Sequence, residues 1–408
     1  MPALSDRSGR GLVGRIENLV LRMKNGLIFV SRQPPGSVGG IQRHGKRLME
    51  LMSTSYQTEF LDWRGPAWMG PFALPYLYWQ ISRREGQVVH LDDGATALMA
   101  DWFSSSGKGY VATVHGRELL FSIPAYQSRL RRGLASLDAV VCVSRATARE
   151  AEKRGVNPER IVVIPNVAEV VSEPAPRSED LYSAIQRECG LELSGKRVLF
   201  SLGRPIPRKG FDLFAREVVP HLPPDCVYVV AGPALSKPRW AGTLERHLSS
   251  DNYHALELMT DWNTIHGDLL RLAEHPRIHY LNNVSERLRD LLFRASDLFI
   301  MPNRRVPFDM EGFGIVALEA AVRGIPVLAT GIEGIVDAVI DGENGYCLPE
   351  GEVKRWVEAI ADLLGNSGRL SALGKCARNF TLERFSPERV GKQYEQVFRQ
   401  VLEARSSP

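Results

Sequence analysis

The run Glu311-Gly-Phe-Gly-Ile-Val-Ala-Leu-Glu319, continued by Ala320-Ala-Val-Arg-Gly-Ile-Pro-Val-Leu-Ala-Thr330, decides the fold. An apolar run at 298–301 precedes it, the helical stretch 316–323 fills its middle, and a second apolar run follows at 326–329. Strand, glycine loop, helix and strand is the repeating unit of a parallel α/β sheet. Gly312 and Gly314 let the backbone approach a ligand closely, and the N–H groups from Gly312 through Phe313 and Gly314 to Ile315 suit a phosphate. Glu311 stands before the turn, where it can accept hydrogen bonds from hydroxyls. Glu319 follows eight positions later, a little over two turns at about 3.6 residues per turn, and so faces another part of an extended ligand. A sugar joined to a nucleoside diphosphate has that layout. A helix dipole stabilising an acidic first turn explains Glu311, but neither the glycines nor a carboxylate inside an apolar helix.

The same alternation extends outward in both directions. Apolar runs at 27–30, 88–91, 110–114, 139–143, 161–164, 198–202, 227–231 and 278–281 read as strands, and 146–154 and 353–364 as helices. Several runs are continuously apolar, which suits strands covered on both faces of a parallel sheet. Two sets of such units predict an α/β chain of two doubly wound, Rossmann-like domains. The Pro-rich stretch 170–178 reads as a linker. The expected division is an extension at 1–26, a first domain at 27–178, a second at 179–385, and a helix at 386–408 after the breaker Phe385-Ser386-Pro387.

Composition sets the outer limits. The chain has 408 residues, with 51 Lys and Arg against 47 Asp and Glu, a net charge of +4 that is too small to argue for nucleic acid, and no nucleic-acid partner is expected. Its 44% hydrophobic residues support full cores and exclude a disordered or disulfide-stapled chain. Five scattered cysteines without a paired spacing fit a reducing compartment. No apolar run spans a membrane, and charges interrupt every candidate signal segment, so the cytoplasm is expected. Leu12, Ile16, Leu19 and Met23, interleaved with Arg10, Arg15, Arg22 and Lys24, fit either a basic helix lying in a membrane interface or a helix packed on its own domain. Peripheral contact with the inner membrane face therefore stays open.

Other candidates sit where parallel sheets place ligands, at strand C-termini. Arg204 and Lys209 follow the strand 198–202 and Gly203, and two cations beside a loop meet the needs of a pyrophosphate. Gly39 and Gly40 precede a helical stretch beginning near Ile41, without the spacing of a dinucleotide fingerprint. His115 and Gly116 end the strand 110–114. Tyr56, Phe60, Trp63, Trp68, Tyr76, Tyr78 and Trp79 can stack on a sugar or meet a lipid, although core packing is the commoner fate of such residues.

In this order the motifs resemble those of the family 4 retaining glycosyltransferases of the GT-B fold, the group 1 glycosyl transferases. Glu311 to Glu319 resembles the E-x7-E signature, and Gly203-Arg204 to Lys209-Gly210 the G-R-x-x-x-x-K-G segment. The glycine loop at Gly39-Gly40, His115-Gly116, Ile164-Pro-Asn166 and Gly331-Ile-Glu333-Gly334 have counterparts as well, over roughly 27–364. The resemblance implies transfer of a hexose unit from a nucleoside diphosphate sugar to a glycan, lipid-linked or small-molecule hydroxyl, with retention and without a metal or other cofactor. It implies His115, Arg204, Lys209 and Glu311 as catalytic residues. Gly39, Gly40, Gly312, Phe313, Gly314, Ile315 and Glu319 would bind the donor, with Val284 at the nucleotide base and the last helix crossing back to the first domain. The role of Arg208 is left undecided, and Arg117-Glu118 departs from members that carry another acid there. Two other readings stand beside this one, a nucleotide-sugar epimerase on the same scaffold and a non-catalytic sugar-binding subunit.

Overall fold

A computed structural model of the chain describes residues 26–31, 40–63, 73–103, 106–173, 177–238 and 240–406. The stripe at 12–23, Gly39 and Trp68 lie outside the described residues. The described part contains two six-stranded sheets, every strand pair parallel. The first holds β1 (Gly26–Ser31), β2 (Gln57–Asp62), β3 (Val88–Leu91), β4 (Gly109–Val114), β5 (Ala139–Cys142) and β6 (Ile161–Val163), in the order β2-β1-β3-β4-β5-β6. The second holds β7 (Arg197–Leu202), β8 (Cys226–Gly232), β9 (Ile278–Asn282), β10 (Leu298–Met301), β11 (Val327–Thr330) and β12 (Gly345–Leu348), in the order β12-β11-β10-β7-β8-β9.

The continuous apolar runs are buried end to end: β3, β4, β5, β8, β10 and β11 each lie fully inside, with helices covering both faces. Both sheets are doubly wound, and the strand order reverses between β1 and β3 and between β7 and β10. Open α/β sheets bind ligands outside the strand C-termini at such switch points.

The helix Pro387–Ser406 packs on the first sheet although the chain reaches it from the second. Its Val390, Tyr394, Val397, Phe398 and Val401 share one core with Leu27, Phe29, Leu48, Val111 and Val141. The outgoing and returning passages run together, joined by a hydrogen bond from Ala168 N to the Phe385 carbonyl at 2.8 Å. Among the described residues no helix is long and apolar enough to cross a membrane.

Candidate functional site

The strongest cluster of charge sits at the β7/β10 switch point. After β7 the chain passes Arg204 and a short turn, Pro207–Lys209, ended by Gly210 at φ 65°. A Cβ on Gly210 would lie 2.0 Å from the Pro302 carbonyl oxygen, so only glycine lets this turn rest against the loop leaving β10. That contact sets Arg208 and Lys209 beside Glu311.

Three donors converge on one oxygen of Glu311. Lys209 Nζ donates to Oε2 at 2.7 Å and Asn303 Nδ2 at 2.9 Å, and the Arg208 guanidinium completes the set. Arg208 also pairs through Nε with Asp309 Oδ2 at 3.1 Å. Burial works against the charge on Glu311, yet Arg208 and Lys209 overcome it and hold the carboxyl far below its ordinary range. Burial draws Lys209 down, while Glu311 opposes the fall. Glu333 behaves differently. Its Oε2 accepts the backbone N–H of Glu311 at 2.5 Å, but burial, only partly offset by that bond, pushes its carboxyl up to about 7.

Arg204 stands slightly apart, its guanidinium on Asp261 Oδ2, and is more exposed than Arg208 or Lys209. The other oxygen of Asp261 pairs with Arg117 Nη1 of the first domain at 2.7 Å. Beside Arg117, His115 closes β4. Its Nε2 lies 3.0 Å from the Asp92 carbonyl, which only accepts, so Nε2 carries the proton. Glu118 is turned inward: its Oε1 accepts His115 N–H at 2.5 Å and Gly94 N–H at 3.4 Å, which holds the turn.

The two domains touch through backbone at this point. A Cβ on Gly312 would lie 1.7 Å from the His115 carbonyl oxygen, and one on Gly334 would lie 1.9 Å from the Gly312 carbonyl oxygen. Gly312 thus owes its place to the close passage of two loops. Gly314, at φ 96°, stands before the helix Ile315–Ala321. Phe313 is buried, its ring edge-on to Phe385 with centroids 5.8 Å apart, and Ile315 packs on the second-domain core.

The remaining candidates lie elsewhere. Gly40 begins the helix Gly40–Met52 above the first sheet. Glu319 is buried, with Arg289 Nη1 4.0 Å from its Oε1, and Arg289 in turn faces Glu169 of the interdomain passage. Val284 follows β9 and packs against the second-domain core. Of the first-domain aromatics, Tyr56 and Tyr78 pack inward, whereas Tyr76 and Trp79 are exposed and Arg83 stacks on Trp79 at 4.5 Å.

Four site residues were given no part by the sequence, Asn303, Asp309, Asp261 and Arg117 as a partner of the second domain, and Glu333 stood in the motif Gly331–Gly334 without a role. Asp309 and Asn303 carried a signal, since both lie between β10 and Glu311. Asp261 carried none, because it belongs to the long connection between β8 and β9 and reaches the site only by tertiary folding.

The sequence matches the profile described as "Glycosyl transferases group 1" over residues 184–380 and "Glycosyltransferase Family 4" over 41–170. It is 28% identical over 305 residues to the GDP-mannose-dependent alpha-(1-6)-phosphatidylinositol monomannoside mannosyltransferase of Mycolicibacterium smegmatis, covering 73% of this chain and 72% of that one. It is likewise 28% identical over 262 residues to the D-inositol 3-phosphate glycosyltransferase of Xylanimonas cellulosilytica, covering 63% of this chain and 56% of that protein. Among solved structures, HepE of Anabaena in complex with UDP and glucose superposes with a TM-score of 0.66 at 18% identity, over 92% of this chain and all of that one. Sucrose-phosphate synthase of Thermosynechococcus elongatus reaches 0.68 at 16% identity, over 93% of this chain and all of that one. At those identities the likeness speaks for the fold alone.

Proposed function

From the premise that the chain belongs to the family 4, group 1 glycosyltransferases of the GT-B fold, we propose that it moves a hexose from a nucleoside diphosphate sugar to a hydroxyl acceptor with retention of the anomeric configuration. The observation that carries this reading is the convergence of Arg208, Lys209 and Asn303 on Glu311 at the β7/β10 switch point. In the proposed complex Glu311 orients sugar hydroxyls, and Lys209 and Arg204 take the diphosphate, neutralising the charge that grows as the glycosidic bond breaks. Side-chain cations supply that charge, so chelators leave the rate unchanged. His115, with Nε2 engaged by a carbonyl, lies near the transferred sugar rather than serving as a base. The leaving phosphate accepts the acceptor's proton.

Gly39, Gly40 and the backbone from Gly312 to Ile315 line the donor phosphates in this proposal, Glu319 holds the ribose and Val284 flanks the base. The mycobacterial relative's name makes GDP-mannose the first donor to test and a phosphatidylinositol mannoside the first acceptor. The test is a panel of UDP-, GDP- and ADP-sugars with lipid and glycan acceptors, with the product anomer read by NMR. Retention of configuration is expected. A product with inverted configuration would overturn the mechanism, and an altered free sugar nucleotide formed without acceptor would point to the epimerase.

A further inference from the structure

Arg117, Asp261 and Arg204 come from three separate places in the chain and meet at the cleft. Arg117 follows β4 in the first domain, Arg204 follows β7 in the second, and Asp261 ends the helix Ser250–Thr260 in the connection between β8 and β9. Each oxygen of the Asp261 carboxylate takes one arginine: Oδ1 lies 2.7 Å from Arg117 Nη1, and Oδ2 accepts from Arg204 Nη1. Two guanidinium groups from different domains thus grip one small anion.

The surrounding charges single out this pair. Arg208 and Lys209 are buried and in this structure rest on Glu311, Arg208 on Asp309 as well. Arg117 and Arg204 share Asp261, and the next anion to Arg117 is Asp309, with Oδ1 3.7 Å from Nε. The Nε–H of Arg117 is buried without a hydrogen-bond partner among the described residues. A carboxylate offers two oxygens and one negative charge; a phosphate offers more of both, in a shape two guanidinium forks engage well.

Asp261 is also placed to leave. It sits at φ 58°, at the end of a helix anchored by buried Tyr253, Ala255 and Leu258, so its side chain alone has to turn off the two arginines.

We propose that Arg117 and Arg204 form a phosphate clamp, one arginine from each domain, which Asp261 occupies until a substrate phosphate displaces it. The clamp rests on the glycosyl-transfer reading of the site. Its anion comes either from the donor's diphosphate or from a phosphomonoester on the acceptor. In both cases a first-domain cation engages the ligand, so binding draws the domains together.

Calorimetric titration of the full chain tests the clamp, with UDP, GDP and ADP as donor probes and inositol 3-phosphate as a phosphomonoester probe. Arg117→Ala should weaken binding of the relevant probe by about 10-fold to 100-fold, the scale of a lost charge-assisted bond. Weakened nucleotide binding assigns the clamp to the donor, and weakened inositol phosphate binding alone assigns it to the acceptor. Should Arg117→Ala fail to fold, Arg117→Lys keeps the charge but loses the fork, and must also weaken binding. Asp261→Asn should tighten binding of the same probe several-fold, since the resident anion is gone. Probes that bind wild type and both arginine variants alike would overturn the clamp, as would weaker binding by Asp261→Asn. A wild-type chain that binds none of the nucleotides would instead sink the glycosyl-transfer reading.

Discussion

Glu311 combines a structural and a chemical duty at a single oxygen atom. Arg208 and Lys209 are nearly buried, and their charge is balanced in place by that carboxylate and by Asp309. Removing one member of such a group leaves the others uncompensated, at a cost of about 3 kcal/mol or more. Glu311→Gln should therefore lower stability as well as turnover, the latter by about 100-fold if the site stabilises developing charge as proposed. Glu311→Gln/Lys209→Gln separates the two effects: thermal unfolding should recover in part while activity does not. A double variant no more stable than the single would contradict the balance argument. Glu333 makes a different prediction. Its carboxyl is pushed up to about 7 from an ordinary 4.5, chiefly by burial. Arg208 and the N–H of Glu311 oppose that rise, and Glu311 and Asp309 add to it. Between those values the folded chain holds a proton that the unfolded chain has released, so this group's contribution is intact below about 4.5 and is lost as pH climbs through about 7. Glu333→Gln stays uncharged and still accepts the N–H. Its melting temperature should gain on wild type from pH 5 to about pH 7 and level off above that, and a pH-independent difference would refute the assignment.

At the scale of elements, the sequence was most legible where strands are covered on both faces. The runs at 88–91 and 298–301 read directly as β3 and β10 because every residue in them is buried. The edge strands Gln57–Asp62 and Gly345–Leu348 escaped notice for the converse reason: they are half-exposed, and their polar residues hide the apolar run. Glu311 and Lys209 were legible because a local motif carries them. Asp261 and the contact of Arg117 with it were not, since no local pattern encodes a meeting of β4, β7 and the connection after β8. The last helix was legible in extent but not in its polar contacts. Tyr394 is buried, its hydroxyl 3.0 Å from both His44 Nε2 and Thr113 Oγ1, and Thr113 Oγ1 in turn lies 2.8 Å from His90 Nε2. Tyr394→Phe keeps the ring and strands those partners, so it should cost about 1–3 kcal/mol in chemical denaturation. A change below about 0.5 kcal/mol would mean that other groups satisfy the chain. The packing is tight besides: a Cβ on Gly109 would fall 2.3 Å from Val401 Cγ1.

Besides the hinge where Ala168 meets Phe385 and the pairing of Arg117 with Asp261, two further contacts close the molecule on itself. One is the stacked backbone of Gly116, Gly312 and Gly334, where side chains are excluded by contacts under 2 Å to carbonyl oxygens at two of the three positions. The other is the start of the helix Arg145–Lys153, where the N–H of Arg145 donates to Asp337 Oδ2 at 2.7 Å and its guanidinium pairs with Oδ1. Thr147 Oγ1, two residues on, donates to the Gly312 carbonyl at 3.3 Å. These contacts hold the segments after β4 and β5 against those after β10 and β11, where the transferred sugar is proposed to lie. A donor must therefore enter while they are apart, and the domains must then close over it to exclude water. Cysteines in place of Arg145 and Asp337 put that sequence under control, since the hydrogen bond between these two residues brings their backbones within side-chain reach. Oxidised Arg145→Cys/Asp337→Cys should neither bind nucleotide nor turn over, and reductant should restore both. The single variants, carrying the same five native cysteines, should show no such redox dependence. A cross-linked enzyme that still turns over would place donor entry somewhere other than between the two sheets.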